Sequence, residues 1–394
     1  MKSFSFRGAL LAMCLSIVAT DVFAVPAFAR RYKVQCSFCH QIFPMLNRAG
    51  ERFKERGFRL ENEDPFEASA WIKSAPVSGR IEGTRNIFEN RDDNNLGYLK
   101  VLSAGSLGSK VSYWVDDAWL RTRGTTTHIE PDNAWGRIDL MKSGKLYLKG
   151  GRFELDLPVT QVRTSHLIPY AIYGTNTGLE TDSIGAYQDG FELGGEFGTT
   201  HVSAALVKGR NSQAVIDLAE ATGVGDPGKF DANVFLRASR RWAASRFGAF
   251  AYFGNNELVA RLNSTRVGVA KDGILRLGVD GNGRVGKFHL YGVGMYGSNS
   301  DSVLSLAAGG GTGESLSFYG GFLSADYYPR EWLAITSRVQ GRSVDLPGTT
   351  EKASVASFLP GVQVVVWKLK FSGQMILSNH NIAKFGVVQV ETAF

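Results

Sequence analysis

From about position 78 to the carboxy terminus, apolar and polar residues alternate with a period of two, in segments of roughly ten residues separated by turn-rich stretches. The clearest case is 288–296. Phe288, Leu290, Gly292, Gly294 and Tyr296 share one face there, and His289, Tyr291, Val293 and Met295 share the other. Leu146, Leu148 and Gly150 alternate with Tyr147, Lys149 and Gly151 in the same way. The pattern predicts sixteen strands, near 78–90, 95–105, 110–122, 132–141, 146–155, 186–197, 200–209, 230–240, 246–255, 274–283, 286–297, 316–328, 331–342, 353–366, 367–378 and 383–394.

The connections are as informative as the strands. Those after even-numbered segments are short (106–109, 142–145, 198–200, 283–286, 328–330), and the long ones follow odd-numbered segments (123–131, 156–185, 211–229, 256–273, 298–315, 343–352). Tight turns on one rim, long loops on the other and an even strand number predict a 16-stranded antiparallel outer-membrane β-barrel over 78–394. A soluble sandwich or propeller has no reason to segregate its connections. The last segment adds to this, with Val388, Val390 and the terminal Phe394 on one face and Gln389 and Glu391 on the other. A carboxy-terminal aromatic on the lipid side is typical of barrels inserted by the outer-membrane assembly machinery.

Composition is compatible with that architecture without proving it. Glycine is abundant, 46 of 394 residues, against a usual share near 7%. The mean hydropathy of -0.10 fits a soluble protein or a barrel, because lumen-facing polar residues dilute lipid-facing apolar ones. After the amino terminus no apolar run is long enough for a transmembrane helix. Residues 1–24 read as a signal peptide, with Lys2 and Arg7, an apolar run over 8–19 and Val22-Phe23-Ala24 as a small-residue cleavage site. Its loss changes the formal charge from +7 to +6 by removing Lys2, Arg7 and Asp21. The basic residues are spread along the chain, which excludes a nucleic-acid patch.

The chemistry lies ahead of the strands. Cys36-Ser37-Phe38-Cys39-His40 is a C-x-x-C-H motif, the attachment signature of c-type haem. Two thiols about one helical turn apart can each bond a porphyrin vinyl group, and the imidazole that follows reaches the iron from one face. A C-x-x-C pair alone also fits a redox disulfide or half a zinc site. Zinc would need a second ligand pair, and the only other cysteine, Cys14, lies in the leader; a thioredoxin-like pair would sit in a βαβ context. Covalent haem on Cys36 and Cys39, with His40 as proximal iron ligand, is the expectation, and export fits it.

A helix is expected next, with Pro44 in its first turn, Leu46, Ala49, Gly50 and Phe53 as its apolar face and Gly57 at its end. That face would pack on a porphyrin or simply form an ordinary amphipathic helix. Residues 61–77, with Pro65 and Pro76, read as a linker after a haem domain at 25–60. The distal iron ligand is open. Met45 is nearest in sequence, and His128, His166, His201, His289 and His380 or Met141, Met295 and Met375 would have to come from the barrel.

Other chemistry is sparse. Asp92-Asp93-Asn94-Asn95 suits a turn better than a cation site. Asp116-Asp117 in mid-strand requires one carboxylate outward or a bulge. Tyr113, Trp114 and Trp119 read as girdle or lumen aromatics.

The run Val25-Pro26-Ala27-Phe28-Ala29-Arg30-Arg31-Tyr32, then Cys36-x-x-Cys39-His40, Phe43-Pro44-x-Leu46, Gly50, Phe53-Lys54 and Gly57-Phe58 resembles the amino terminus of the fused monohaem cytochrome–porins, the iron oxidases of iron-oxidising bacteria and their wider relatives. The resemblance covers Val25 to Phe58 and is only architectural over the barrel. It implies one haem c domain plugging the barrel from the periplasmic end. Electrons would be taken from extracellular Fe(II) and passed to a periplasmic carrier. Relatives that share the motif also occur in bacteria that do not oxidise iron. Two alternatives therefore stand beside it: the same conduit run outward, and a diffusion porin whose haem domain gates or senses.

Overall fold

The structure is a computed structural model that describes residues 27–60, 77–86, 95–107, 110–123, 126–141, 144–160, 164–176, 181–208, 213–217, 232–262, 265–300, 315–345, 352–367, 369–379 and 385–393. The leader, the linker at 61–76, Asp92 to Asn94, His380 and Phe394 lie outside them. Sixteen antiparallel strands among the described residues close a barrel. They are β1 (Val77–Asn86), β2 (Asn95–Leu107), β3 (Val111–Arg123), β4 (Thr126–Asp139), β5 (Leu146–Glu154), β6 (Tyr187–Phe197), β7 (Thr200–Lys208) and β8 (Ala232–Trp242). β9 (Ser245–Leu262), β10 (Thr265–Val285), β11 (Phe288–Asn299), β12 (Leu316–Arg330), β13 (Leu333–Asp345), β14 (Lys352–Val366), β15 (Leu369–Ser378) and β16 (Phe385–Ala393) complete it. β16 pairs with β1, from Val387↔Asn86 to Ala393↔Arg80, so no edge is left open.

The period-two pattern has a physical outcome on each strand. In β11, His289, Tyr291, Val293 and Met295 are buried towards the lumen, and Phe288, Leu290 and Tyr296 face outward and are exposed. β13 turns Arg338 and Gln340 inward and Ile335 and Val339 outward. The outer surface is thus a continuous apolar belt of a size that a water-facing protein rarely exposes. Backbone groups are satisfied around the closed ladder, which is the condition for strands to cross lipid.

Two of the expected long loops are strand instead. The alternation continues through Leu258, Ala260 and Leu262, and the β9–β10 ladder runs on to Leu262↔Thr265. β9 and β10, with 18 and 21 residues, exceed the roughly 9–11 that cross a bilayer, so this hairpin stands beyond the long-loop rim. The short strand Gln213–Asp217 adds to it in parallel, opposite Glu257 to Arg261. β4 likewise begins at Thr126, inside the expected 123–131 loop. At the Asp116-Asp117 pair, where an outward carboxylate or a bulge is required, the β3–β4 register shifts between the two residues.

The lumen is filled from two directions. Residues 27–60 enter at the tight-turn rim: helix α1 (Ala27–Tyr32), a 3-10 turn at Cys36–Phe38, a small hairpin of His40–Ile42 with Met45–Leu46, and helix α2 (Arg48–Glu55). The β5–β6 connection, expected as an external loop at 156–185, folds inward. Leu155, Leu157, Val159, Tyr170, Ile172, Tyr173 and Ile184 are buried against Phe235, Phe250, Tyr252, Ile274, Tyr291 and Phe318 of the wall. On the opposite wall, Ile168 packs with Leu359 and Val387. Arg338 donates to the Ile168 and Pro169 carbonyls, and Gln374 accepts from the Leu167 and Ile168 N–H groups. The segment thus bridges the lumen from one side to the other.

Candidate functional site

Asn47 organises the amino-terminal segment. Its Oδ1 accepts from the Ala49 and Gly50 N–H groups at 2.9 and 3.1 Å, which caps α2. Its Nδ2 donates to the Ser37 and Phe38 carbonyls at 2.9 and 3.1 Å, inside the C-x-x-C-H turn. The helix therefore starts at Arg48 rather than near Pro44, and Pro44 lies in the hairpin turn. Gly57 closes the helix at φ +65°, a conformation that costs glycine little.

Close packing explains Gly50, because a Cβ there would come within 2.1 Å of the Cys39 carbonyl oxygen. Gly50→Ala should force α2 off the C-x-x-C-H turn and make the 27–60 segment markedly more sensitive to protease while the barrel stays heat-modifiable on gels. Unchanged cleavage would show that the contact is dispensable.

The segment docks on the barrel through an aromatic cluster. Phe28 meets Phe53 and Phe58 at ring distances of 5.0 and 5.3 Å, and Phe58 meets Trp114 and Trp135 of the wall at 5.4 and 5.8 Å. Charged contacts orient it. Glu55 bonds Arg246 at 2.9 Å and Arg241, Glu51 bonds Arg284 at 3.0 Å, and Arg59 bonds Asp139 at 2.5 Å. Partly exposed ion pairs are each worth about 0–1 kcal/mol, whereas burying one Phe contributes roughly 1.5–3 kcal/mol. Aromatic packing therefore dominates the attachment and the charges set its register.

Cys36, Cys39 and His40 line one largely apolar cavity. The plug side contributes Phe28, Tyr32, Phe43, Phe53 and Phe58. The wall side comes from four strands: Ser78 and Arg80 of β1, Lys100 and Leu102 of β2, Trp114 and Asp116 of β3, and Ala393 of β16. Arg80 is paired with Glu82 at 2.5 Å and with Glu391 at 3.0 Å, and Glu391 also bonds Lys370 at 3.1 Å. Lys100 is paired with Asp132. Burial pushes the Cys36 thiol up, and burial together with the Cys36 charge pushes the Cys39 thiol up. Reactive redox cysteines have the opposite shift.

The other expected residues lie elsewhere. Met45 is 5% exposed, sits in the lumen cluster with Phe153 and Leu157, and lines a neighbouring polar chamber rather than the apolar cavity. His201 and His289 line that chamber, His201 between Asp156 at 3.3 Å and Glu196 at 2.9 Å. Burial alone would raise the Asp156 carboxyl, but His201, Arg237 and Arg246 hold it well below its ordinary range. His166 bonds Asp326 at 3.2 Å and Gln374 at 2.6 Å, and burial pushes its pKa below the ordinary imidazole value against the pull of Asp326. Met295 is buried in the lumen cluster, and Met141 and Met375 are exposed. Trp114 is a lumen aromatic; the side chains of Asp117, Trp119 and His128 lie outside the described residues.

Sequence reasoning missed the barrel-borne half of the cavity and the inward connection. The latter had a signal: Leu155, Leu157, Val159, Ile168, Ile172 and Ile184 are too apolar for an external loop.

No family model and no curated relative matches the chain. Solved structures do. A loop L8 deletion form of OmpT, an outer-membrane protein of Vibrio cholerae, aligns at a TM-score of 0.56 and 9% identity, covering 81% of this chain and 97% of that one. Salmonella typhi OmpF, in a complex with daunomycin, aligns at 0.54 and 10% identity over 81% and 97%. An anion-selective porin from Comamonas acidovorans aligns at 0.50 and 10% identity over 81% and 98%. At such identities the likeness is one of fold: this chain has the closed barrel of outer-membrane porins. Together with its apolar belt this places it in the outer membrane, with lipid around it.

Proposed function

We propose that the protein is an outer-membrane electron-transfer protein of the cytochrome–porin type, carrying one haem c and taking electrons from extracellular Fe(II) to a periplasmic carrier. The observation that carries this reading is the shared apolar cavity of Cys36, Cys39 and His40, closed by the barrel wall. The donor set fits the group: two thiols for thioethers, one imidazole for the iron and aromatic walls for the macrocycle. When bound, the haem supplies a one-electron redox couple. The chain's own residues surround that couple with apolar side chains, hold it inside the wall and keep it beside the tight-turn rim.

That rim is the periplasmic one in bacterial barrels. Gln35, Cys36, His40 and Phe43 line both the cavity and a groove open at this rim, flanked by Trp332 and Trp367, which suits contact with a soluble carrier. The resemblance at Val25 to Phe58 supports the inward direction of flow. The diffusion-porin reading draws support from the fold comparisons, but two segments in the lumen weigh against it.

The test is covalent attachment. Denatured wild-type protein should keep a haem stain on a gel, and Cys36→Ala/Cys39→Ala should lose it while the barrel stays heat-modifiable. Haem that washes out of the wild type in acid acetone would sink the reading.

A further inference from the structure

We propose that the haem held by Cys36, Cys39 and His40 receives no protein side chain at the sixth position of its iron, leaving that position to small neutral ligands such as carbon monoxide. The inference rests on the haem reading and extends it to a ligand-binding site.

Its first support is the placement of Met45. Between Val25 and Val77 the sequence holds one Met and one His, Met45 and His40. Met45 belongs to the buried lumen cluster and lines the polar chamber, whereas His40 lines the apolar cavity. Leu46 and Lys54 border both spaces and form the partition between them. Of the imidazoles among the described side chains, His166 is bonded to Asp326, His201 to Asp156 and Glu196, and His289 to Asn282 at 2.8 Å, whereas the side chain of His128 and all of His380 lie outside the described residues. None of these, and no Met, lines the cavity among the described residues.

The cavity's remaining donors are already engaged. Lys54 faces Glu154 at 3.9 Å and Lys100 is bonded to Asp132; an ammonium held by a carboxylate has no lone pair to give iron. Tyr32 donates its hydroxyl to the Phe58 carbonyl at 3.2 Å. Asp116 offers a hard carboxylate oxygen, poorly matched to ferrous haem. Apolar walls favour a neutral ligand over an ion. Entry is available through the rim groove, which shares Gln35, Cys36, His40 and Phe43 with the cavity.

The experiment uses full-length protein in detergent, with heat-modifiable migration as the check of folding and the denaturing-gel stain as the check of covalent haem. The haem is reduced chemically and titrated with carbon monoxide. A high-spin ferrous spectrum that converts completely and saturably, identically in wild type and Met45→Ala, is expected. A low-spin ferrous spectrum insensitive to carbon monoxide in wild type, released only in Met45→Ala, would overturn the proposal and name Met45 as ligand. Insensitivity in both proteins would overturn it in favour of another side chain, with His128→Ala, His380→Ala, Lys54→Ala and Lys100→Ala as the next variants. Absence of the covalent stain in folded wild type removes the haem reading itself, an outcome distinct from these.

Discussion

Fe(II) added outside sealed liposomes should reduce an acceptor trapped within them when the wild-type protein spans the bilayer, and the Cys36→Ala/Cys39→Ala variant should bring that transfer down to background. The expectation follows from where the cavity sits and from what lies above it. The described parts of the inward β5–β6 connection cross the lumen between the C-x-x-C-H cavity and the long-loop rim and obstruct the diffusion of hydrated iron to the trapped acceptor. The barrel's own packing does not depend on the two thiols: the plug is held by Phe28, Phe53, Phe58, Trp114 and Trp135 and oriented by Glu51, Glu55 and Arg59. The variant should therefore assemble, and heat-modifiable migration checks that it does. Equal transfer by the variant would mean that iron crosses a pore, and the porin reading would prevail. Slow reduction by Fe(II) but fast oxidation by external Fe(III) would support the outward direction.

Planar bilayers should show the same lumen as electrically near-silent. Two obstructions lie in series, the 27–60 segment at the tight-turn rim and the described parts of the β5–β6 connection further in. Removing one leaves the other. Truncating 27–60 alone should therefore leave conductance close to the wild-type baseline, as should replacing 156–185 alone with a short linker. The double variant should open steps of general-porin size. Large steps from the intact protein would refute the occluded lumen and restore solute diffusion as its activity.

Much of the barrel was legible because lipid on one side and a polar lumen on the other impose a strict period of two. All sixteen strands fall where the alternation places them, and Phe288, Leu290 and Tyr296, read as sharing one face, do share the outward one. Strand ends were less legible, since nothing in the alternation of β9 and β10 marks where the membrane stops and the projecting hairpin begins. Of the site, only the C-x-x-C-H spacing was legible. Cys36, Cys39 and His40 carry a spacing with a chemical cause, whereas Arg80, Lys100, Trp114 and Asp116 meet them through a long-range fold that no local pattern encodes. The start of α2 was misplaced because Pro44 was given the role that Asn47 fills with its side chain.

The cavity wall takes residues from β1, β2, β3 and β16, and Arg80 reaches Glu391 across the junction of the first and last strands. Those two strands are separated by the whole barrel sequence and become neighbours only when the cylinder closes. Before that moment the C-x-x-C-H turn has its plug-side aromatic partners but half a pocket, open along the side where the wall will come. The two thiols are therefore open on that side until β1 and β16 pair, and enclosure of the cavity waits on the seam. A lesion at Arg80 or Glu391 would thus be felt first as a defect of maturation, in protein that never finishes sealing.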